Sequence, residues 1–448
     1  ISTAIVYHLY GALARKDEAE IASLMNLYRK AYHVFAVLVF AAGMAVLPFI
    51  HLFMKNNSYS LSYIRVLYAM WLVRTVLSYL LTYRKSLLIA DQKEYIASIT
   101  GLILNVVSYL AIILLVTWEQ NYLLALGIGT VTEVVLNIWI SWYVEQKYPF
   151  LRQRRKEKST SSLTKRIVRD LKSLFISRIS EKMLYCTDNL IISGFIGVGT
   201  VGRYANYCMI TQAISNILTI LANTIQPTVG DYFTEKNRQR NYEILRQLTF
   251  GFFCIASVVS VGLFSLITPF VRDIWLGPSY ELGWGITVFC IVVLLVRIMG
   301  LPLSLVMGVT GLFEKEKNVG ASSALLNLIV SLALVKPYGM AGVLLGTLLS
   351  YLLQILYRYI IYFRDFLEMP GEALRYAQDI GEYLAVIAGE VLLMQKIVPL
   401  IYGAGGMLLF CVCFLLCIAI PLLLDLVIFG RGWRLQSIVT MVKGMRKA

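Results

Sequence analysis

The sequence has few charged residues and lacks the common patterns of catalytic and cofactor-binding proteins. Only 15% of its 448 residues are charged, whereas 58% are hydrophobic. There is no nucleotide-binding glycine loop and no plausible Ser/His/Asp set, and the three histidines are His8, His33 and His51. The loops on one side of the predicted membrane helices are too short for a catalytic domain. We therefore do not expect an enzyme or a resident cofactor.

Metal and disulfide chemistry are also poorly represented. The seven cysteines all lie in apolar runs, and none has C-x-x-C spacing. Cys411 and Cys413 form the one closely spaced pair. Free cysteine in such surroundings behaves as a small hydrophobic residue. We predict that all seven are buried and that none binds a metal.

Long apolar runs dominate what is present, and they predict an all-α polytopic membrane protein. A membrane-spanning helix needs roughly 20 apolar residues. Residues 1–12 have the character of the end of a further span, and the missing initial methionine predicts that the first helix of the full protein is absent. The predicted spans are 33–54, 63–83, 96–116, 122–144, 174–197, 203–227, 248–270, 282–306, 318–335, 341–362, 379–400 and 405–429.

Basic residues predict the orientation. Most of the 41 lysines and arginines fall in one set of alternate loops, including a linker at 147–172 and a tail at 430–448. Because cytoplasmic loops carry the Lys/Arg excess, this set and the C-terminus are predicted to be cytoplasmic. The net charge of +15 is then explained by topology and by contact with anionic membrane lipids, and nucleic-acid binding is not expected.

Short anchors recur in the same order in the two halves of the chain and predict an internal duplication. Pro48-Phe49-Ile50 matches Pro269-Phe270-Val271, and Leu72-Val73-Arg74 matches Leu295-Val296-Arg297. The predicted domains are an N-terminal lobe at 1–146 (helices 2–6 of the full protein), a C-terminal lobe at 173–363 (helices 7–12), and two additional helices at 379–429. Repeats of this kind enclose a cavity between the lobes.

Arg74 and Arg297 occupy equivalent places deep in a span of each half. Two guanidinium groups facing one cavity would form a phosphate site, because the planar guanidinium binds oxyanions with two hydrogen bonds. Alternatively, each arginine pairs with a carboxylate of its own lobe, and Glu133 is the candidate partner of Arg74.

The predicted span 174–197 carries a charged stripe. Arg178, Glu181, Lys182 and Asp188 follow helical spacing, so they share one face, and such a face is not expected to contact lipid. Some of these charges neutralise one another, with Glu181 as a charge partner. Asp188 is the deepest; it either binds a coupling cation or proton, or caps a hydrogen-bond network with Asn189.

Further polar residues lie inside the predicted spans, and most are expected to form hydrogen bonds between helices. They are Glu133, Asn137, Asn206, Asn216, Asn223, Gln226, Asn327, Gln354, Glu390 and Asp425.

Several segments carry a resemblance to a known family. They read T-D-N-L-I-I-S-G-F-I-G at 187–197, V-G-R-Y-A-N-Y at 201–207 and I-Q-P-T-V-G at 225–230. These segments resemble the seventh and eighth helices of Wzx-type polysaccharide flippases, which belong to the multidrug/oligosaccharidyl-lipid/polysaccharide (MOP) exporter superfamily. I-W-L-G-P-S-Y at 274–280 and Y-G-M-A-G at 338–342 are also similar.

The resemblance implies a MATE-like fold of two six-helix lobes that work by alternating access. It implies a cationic central cavity for an undecaprenyl-pyrophosphate-linked oligosaccharide, in which Arg74, Arg297, Arg178 and Lys182 hold the pyrophosphate or acidic sugars. In the related lipid II flippases two extra helices help to form a groove for the lipid tail, and 379–429 matches that place.

The resemblance also implies a coupling ion, Na⁺ or H⁺. The positions that match the sodium site of the related flippases are Asp188, Asn327 and Thr347. A second acid found in helix eleven of those proteins has no equivalent at 329–331.

We therefore predict a flippase for lipid-linked oligosaccharide in the bacterial cytoplasmic (inner) membrane, with the polysaccharide polymerase machinery as a further partner. The alternative is a MATE-type multidrug or cation antiporter. A polytopic glycosyltransferase or polymerase is less consistent with the short external loops.

Overall fold

The computed structural model describes residues 9, 12–13, 15–55, 59–119, 121–152, 186–233, 237–403 and 405–430. Every regular element in this described part of the chain is a helix, which confirms the predicted all-α class. Arg178, Glu181 and Lys182 lie outside it. The chain divides into two compact units, Ile1–Ile179 and Ser180–Ala448.

Within these ranges, nine helices are long and apolar enough to cross a bilayer, so the protein is a multi-pass membrane protein. A further helix at Leu61–Thr82 is 22 residues long, but Arg65 and Arg74 interrupt its apolar run. Leu102, Leu110 and Leu114 are more than half exposed on the outer face of one of the nine. Such side chains suit contact with lipid rather than water.

The first unit is a small helical cluster. Its helices pack as α1 on α2, α2 on α5 and α4 on α5, around buried Tyr28, Leu87 and Val144. The helices are α1 (Glu18–Val46), α2 (Leu61–Thr82), α3 (Lys85–Ala90), α4 (Glu94–Glu119) and α5 (Tyr122–Lys147), with short 3₁₀ segments at Leu47–Phe53 and Pro149–Arg152.

A polar contact connects the α3–α4 turn to the segment after α5. Burial alone would raise the pKa of Asp91, but hydrogen bonds from Lys93 and from the Tyr148 hydroxyl outweigh it and hold that pKa below its usual value. The ionised carboxylate therefore joins elements that are distant in sequence. Its contribution to stability is present at neutral pH and is lost as the pH falls through the lowered pKa.

The second unit is larger and is centred on α8 and α9. In each of these helices, half of the residues in the apolar 18-residue stretch are buried, because other helices surround them. In α4 the buried share is 11%. α9 contacts α7, α8 and α10, and α8 contacts α11 and α12. The helices are α6 (described at 186–195), α7 (Val198–Tyr232), α8 (Arg238–Pro269), α9 (Trp284–Val309), α10 (Phe313–Ile360), α11 (Pro370–Tyr402) and α12 (Met407–Phe429); π-helical turns follow α8 at Phe270–Trp275 and α10 at Ile361–Leu367, and a 3₁₀ turn lies at Pro278–Tyr280.

The sequence predicts separate spans at 318–335 and 341–362, and the two arms of α10 agree with them. The arms are separated at Gly339, whose φ of 58° and ψ of −134° reverse the chain. Glycine adopts this conformation without the steric cost that a side chain would incur. A Cβ at Gly342 would lie 2.3 Å from the backbone oxygen of Leu334, so the two arms of α10 approach too closely for a side chain at that position.

Hydrogen bonds fix the register of the two antiparallel arms. The Ser331 hydroxyl donates to the backbone oxygen of Val343 at 3.2 Å, and the Ser350 hydroxyl donates to that of Ser323 at 2.9 Å. This register places residue 327 opposite residue 347. The hairpin therefore aligns two polar positions that the sequence separates by a turn.

The two C-terminal helices pack on α8. α11 runs parallel to it: Arg246 of α8 holds Asp379 of α11 with two hydrogen bonds of 2.6 and 3.0 Å. Further along, Phe253 stacks on Tyr383 at 4.5 Å between ring centroids and meets Phe429 of α12 edge-on at 5.5 Å. Aromatic packing of this kind secures all three helices to one another.

The prediction that all seven cysteines are buried is confirmed for three of them. All seven are free; Cys290, Cys413 and Cys417 are buried, Cys208 and Cys254 are partly buried, and Cys186 and Cys411 are exposed. Cys411 and Cys413 are two residues apart on a helix, so they point to different sides of α12. An apolar thiol is compatible with a surface that faces lipid.

Candidate functional site

Three polar side chains from α6 and both arms of α10 meet in the second unit. The Thr347 hydroxyl donates to Asp188 Oδ2 at 2.7 Å. Asn327 Nδ2 lies 2.9 Å from Thr347 Oγ1 and 3.4 Å from Asp188 Oδ1. We call these three residues the Asp188 cluster. They are the residues that the family resemblance implies for ion coupling, and the structure brings them together.

The Asp188 cluster is almost fully enclosed. Asp188 is 4% exposed, Asn327 0% and Thr347 7%. Within the described part of the chain, the side-chain oxygen of Asn327 has no hydrogen-bond partner. A buried amide oxygen without a partner is costly, so it marks a position where a donor or a cation would be favourable.

A glycine helps the arms of α10 to form this cluster. A Cβ at Gly346 would lie 2.4 Å from Ser331 Oγ and 3.1 Å from the backbone oxygen of Asn327. The absence of a side chain there lets the second arm lie directly against Asn327. Carboxylate, amide and hydroxyl oxygens of this kind are the donors that hard cations prefer.

The first unit contains a second charged group. Arg74 Nε of α2 donates to Glu133 Oε2 of α5 at 2.6 Å, and the guanidinium lies 5.1 Å above the Trp71 ring. The pair is partly accessible, with side-chain exposures of 29% and 32%. Glu133 is thus the partner of Arg74, as the alternative interpretation of the sequence proposed. The pair uses only one of the five N–H donors of the guanidinium.

Arg297 has a different environment in the second unit. It lies on α9, half-buried, with its guanidinium 5.4 Å from the centroid of the Tyr351 ring on the second arm of α10. A cation above an aromatic face is stabilised by the ring quadrupole. The sequence predicts that the two arginines occupy equivalent positions of a repeat, but their immediate contacts differ.

A basic cleft in the first unit was not identified from the sequence. It has a volume of about 340 Å³ and is lined by Arg29 and His33 of α1, by Arg84 after α2, and by Trp142 and Glu145 of α5, among others. Arg84 also forms a 2.5 Å ion pair with Glu145. The i, i+4 spacing of Arg29 and His33 is a signal that these two side chains share one helix face.

Among the described residues, no group of three or more His, Cys, Asp or Glu side chains is placed to hold a metal ion. The predicted substrate residues Arg178 and Lys182, and their charge partner Glu181, lie outside the described ranges. Of the predicted site residues, the structure therefore gives the contacts of Arg74, Arg297, Glu133 and the Asp188 cluster.

Comparisons with known proteins identify a sequence family for the chain and solved structures with a similar fold. The sequence profile of a family described as polysaccharide biosynthesis protein matches residues 10–233, half of the chain. No curated protein sequence matches the chain.

Among solved structures, one similar fold is described as "Lipid II flippase MurJ, inward closed conformation". It has a TM-score of 0.64 and 15% identity, and the match covers 96% of this chain and 89% of the flippase. A multidrug resistance MATE family transporter of the MOP superfamily, in an outward-facing conformation, matches with a TM-score of 0.52 and 14% identity over 82% and 83% of the two chains.

A mutant of the MATE transporter VcmN from Vibrio cholerae matches with a TM-score of 0.51 and 11% identity over 81% and 83% of the chains. At these identities the likeness concerns the fold. The MATE-like fold expected from the sequence is confirmed.

The ion pair between Arg74 and Glu133 makes a prediction about stability. Arg74→Met leaves Glu133 without its counter-charge, and we expect the free energy of unfolding to fall by about 1–2 kcal/mol, less than for a fully buried pair because both side chains are about a third exposed. The double variant Arg74→Met/Glu133→Gln should recover most of the loss. Thermal unfolding of the purified variants measures both; equal losses in the single and double variants would contradict the pairing.

Proposed function

Because the chain belongs to the family of polysaccharide biosynthesis proteins, we propose that it is a flippase for an undecaprenyl-pyrophosphate-linked oligosaccharide. The family assignment is the observation that carries this proposal. The fold supports it, because a lipid II flippase shares the fold over nearly the whole chain. The proposed setting is the bacterial cytoplasmic membrane, with the C-terminus in the cytoplasm, and the proposed product is a surface polysaccharide.

The substrate would be recognised mainly through its pyrophosphate. This group carries several negative charges, and arginine binds phosphate oxygens through parallel N–H donors. Arg74 keeps donors that its contact with Glu133 does not use, and Gly129 beside it has no side chain: a Cβ there would lie 3.3 Å from Arg74 Nη1. A phosphate could therefore join the pair or replace Glu133.

The proposed mechanism is alternating access. The head group binds to Arg74, Arg297 and the arginine and lysine of the charged stripe, Arg178 and Lys182, while the site is open to the cytoplasm. The lobes then rearrange and release it on the other side. The lipid tail remains in the bilayer throughout, so the protein has to shield only the polar head group.

The Asp188 cluster would bind the coupling ion, Na⁺ or H⁺. A buried carboxylate beside an amide oxygen without a partner is stabilised by a cation or by a proton. An ion that binds one conformation better than the other shifts the equilibrium between them, and this links transport to the ion gradient.

A MATE-type multidrug antiporter is the second candidate, because such transporters share the fold. A pump for cationic drugs benefits from acidic residues at the transport site. Arg74 and Arg297, both inside spans, favour an anionic substrate instead.

The flippase proposal predicts that Arg74→Ala and Arg297→Ala abolish polysaccharide export. Loss of a charge-assisted contact, worth about 1.5–3 kcal/mol, should reduce export by at least about tenfold. Surface polysaccharide is measured in a bacterial strain that depends on this chain for export. Arg65→Ala is the matched control, because Arg65 is exposed on the same helix as Arg74 and is not part of the proposed site.

Two further measurements make that result interpretable. The abundance of each variant in the membrane separates loss of transport from loss of protein. Arg74→Met/Glu133→Gln, in which the ion pair is replaced by neutral groups, should be stable and still inactive. Normal export by both arginine variants would exclude the arginine site.

The coupling proposal predicts that Na⁺ stabilises the protein through the Asp188 cluster. At a concentration of 100 times the dissociation constant, a ligand adds about 2.7 kcal/mol to the free energy of unfolding. Thermal unfolding in NaCl and in choline chloride of equal ionic strength measures the difference. Asp188→Asn and Thr347→Val should abolish it, and Asn189→Ala, at an exposed neighbour, should retain it.

An equal sodium effect in Asp188→Asn would place the ion elsewhere. If the wild-type protein shows no sodium effect, but a pH dependence of its stability that Asp188→Asn removes, the coupling ion is a proton.

A further inference from the structure

The basic cleft of the first unit lies at one boundary of the predicted membrane spans. Its lining includes His33 of α1, Arg84 after α2 and Glu145 of α5. The predicted spans of these three helices begin at residue 33 and end at residues 83 and 144, so each of the three side chains lies next to a predicted end. The cleft is therefore at the level where a bilayer places its head groups.

Arg84 is held in one orientation by contacts with two elements. Its Nε donates to the Tyr83 hydroxyl at 3.0 Å, and its Nη1 donates to the backbone oxygen of Ser141 at 3.3 Å. Its Nη2 lies 2.5 Å from Glu145 Oε1. These contacts use three of the five N–H donors, so one donor on each terminal nitrogen remains. A guanidinium that is already fixed loses little side-chain freedom when it binds an anion.

Arg29 gives the cleft an excess of positive charge. It is half-buried in α1, and within the described ranges its side chain forms no ion pair and no hydrogen bond. Glu145 is the one acidic side chain that lines the cleft in the described part of the chain, and Arg84 already contacts it. Two guanidinium groups against one carboxylate leave a single positive charge in excess. This charge favours a ligand with one negative charge.

The other side chains of the cleft suit a head group that is joined to a lipid tail. His33 Nδ1 donates to the backbone oxygen of Arg29 at 2.6 Å, so in the neutral ring Nε2 is an acceptor that suits a hydroxyl group. Ile138 and Trp142 of α5 are 54% and 55% exposed, so the rim of the cleft is apolar. Tryptophan is enriched at the depth where the bilayer meets water.

The size and position of the cleft separate it from the proposed transport site. Its volume of about 340 Å³ is at the lower end of the range of about 300–1,000 Å³ for small-molecule sites, so it accommodates a head group and not a whole lipid. Arg84 follows Arg74 by ten residues, which corresponds to about 15 Å along a helix. A pyrophosphate also carries more negative charge than the cleft has in excess, whereas a phosphodiester carries one.

We propose that the basic cleft binds the head group of an anionic phospholipid, with the phosphodiester between Arg29 and Arg84 and the acyl chains along the exposed face of α5. Clefts of basic residues between membrane helices are suited to such head groups. The proposal does not depend on the proposed substrate, since the phospholipid belongs to the membrane itself. A bound phospholipid would connect the ends of α1, α2 and α5.

Binding of phosphatidylglycerol to the purified full chain in detergent micelles tests the proposal. Phosphatidylcholine with the same acyl chains is the zwitterionic control. Native mass spectrometry counts the bound lipids at each lipid concentration, and thermal unfolding measures the stabilisation. We expect phosphatidylglycerol to bind more tightly than phosphatidylcholine and to raise the melting temperature further.

Substitutions locate the bound lipid. Arg29→Gln and Arg84→Gln should each weaken binding of phosphatidylglycerol by at least about tenfold, because each removes a charge-assisted contact. Lys30→Gln is the matched control: Lys30 is exposed beside Arg29 on α1 and does not line the cleft, so the affinity should be retained. Equal losses of affinity in Arg29→Gln and Lys30→Gln would overturn the proposal, since the lipid would then respond to overall charge.

Glu145→Gln gives a result that misfolding cannot imitate. The substitution removes the carboxylate that competes with the phosphate for Arg84, so the affinity for phosphatidylglycerol should rise by at least about threefold. Unchanged or weaker binding in this variant would overturn the proposal.

Undecaprenyl pyrophosphate without sugars distinguishes the two sources of a lipid phosphate. We expect an equimolar amount of it to leave phosphatidylglycerol bound to the wild-type protein. Displacement of phosphatidylglycerol would overturn the assignment to a phospholipid and would make the cleft part of the path of the substrate. Neither result changes the effect of Arg74→Ala on export, so the two proposals fail independently.

Discussion

The cost of an ionisable group at membrane depth is the constraint on which this structure depends. A charge inside a bilayer must be paired, stacked, hydrogen-bonded or protonated, and the described helices contain examples of the first three solutions. Arg74 is paired with Glu133, and Arg246 with Asp379. Arg297 lies over an aromatic ring, and the Asp188 cluster surrounds its carboxylate with donors. These contacts join helices that apolar packing alone would not hold in a fixed register, because lipid tails are as apolar as leucine.

The same contacts divide the chain into regions with different tasks. In the first unit Arg74 is partly accessible, and its guanidinium keeps N–H donors that the contact with Glu133 does not use. The hairpin of α10 places two polar residues against α6, in a position that is enclosed by protein. The C-terminal helices attach to α8 through an ion pair and an aromatic cluster. The proposed substrate recognition and ion binding would therefore use different charges from those that dock the C-terminal helices.

Much of the fold could be predicted from the sequence, because apolar runs of about 20 residues leave few alternatives to a membrane helix. The two arms of α10 were predicted as separate spans, and the reversal at Gly339 lies between the predicted spans 318–335 and 341–362. The pairing of Arg74 with Glu133 was available as a candidate, because both lie inside spans. Asn327 and Thr347 were predicted as ion-coupling residues from the family resemblance. The periodicity of polar residues along a helix does not show which helices contact each other. Glu390 and Asp425 were recognised as polar residues in spans, but their burial depends on how α11 and α12 pack on α8.

Transport of a lipid-linked oligosaccharide by the purified protein tests the central claim most directly. The protein is reconstituted into liposomes that contain a fluorescent undecaprenyl-pyrophosphate oligosaccharide, and a membrane-impermeant quencher reports which leaflet the head group occupies. The account predicts that the protein moves the labelled head group between leaflets faster than protein-free liposomes do, and that a sodium or proton gradient changes the rate. Transport of cationic drugs without any movement of the lipid-linked oligosaccharide would contradict the account and favour a multidrug antiporter.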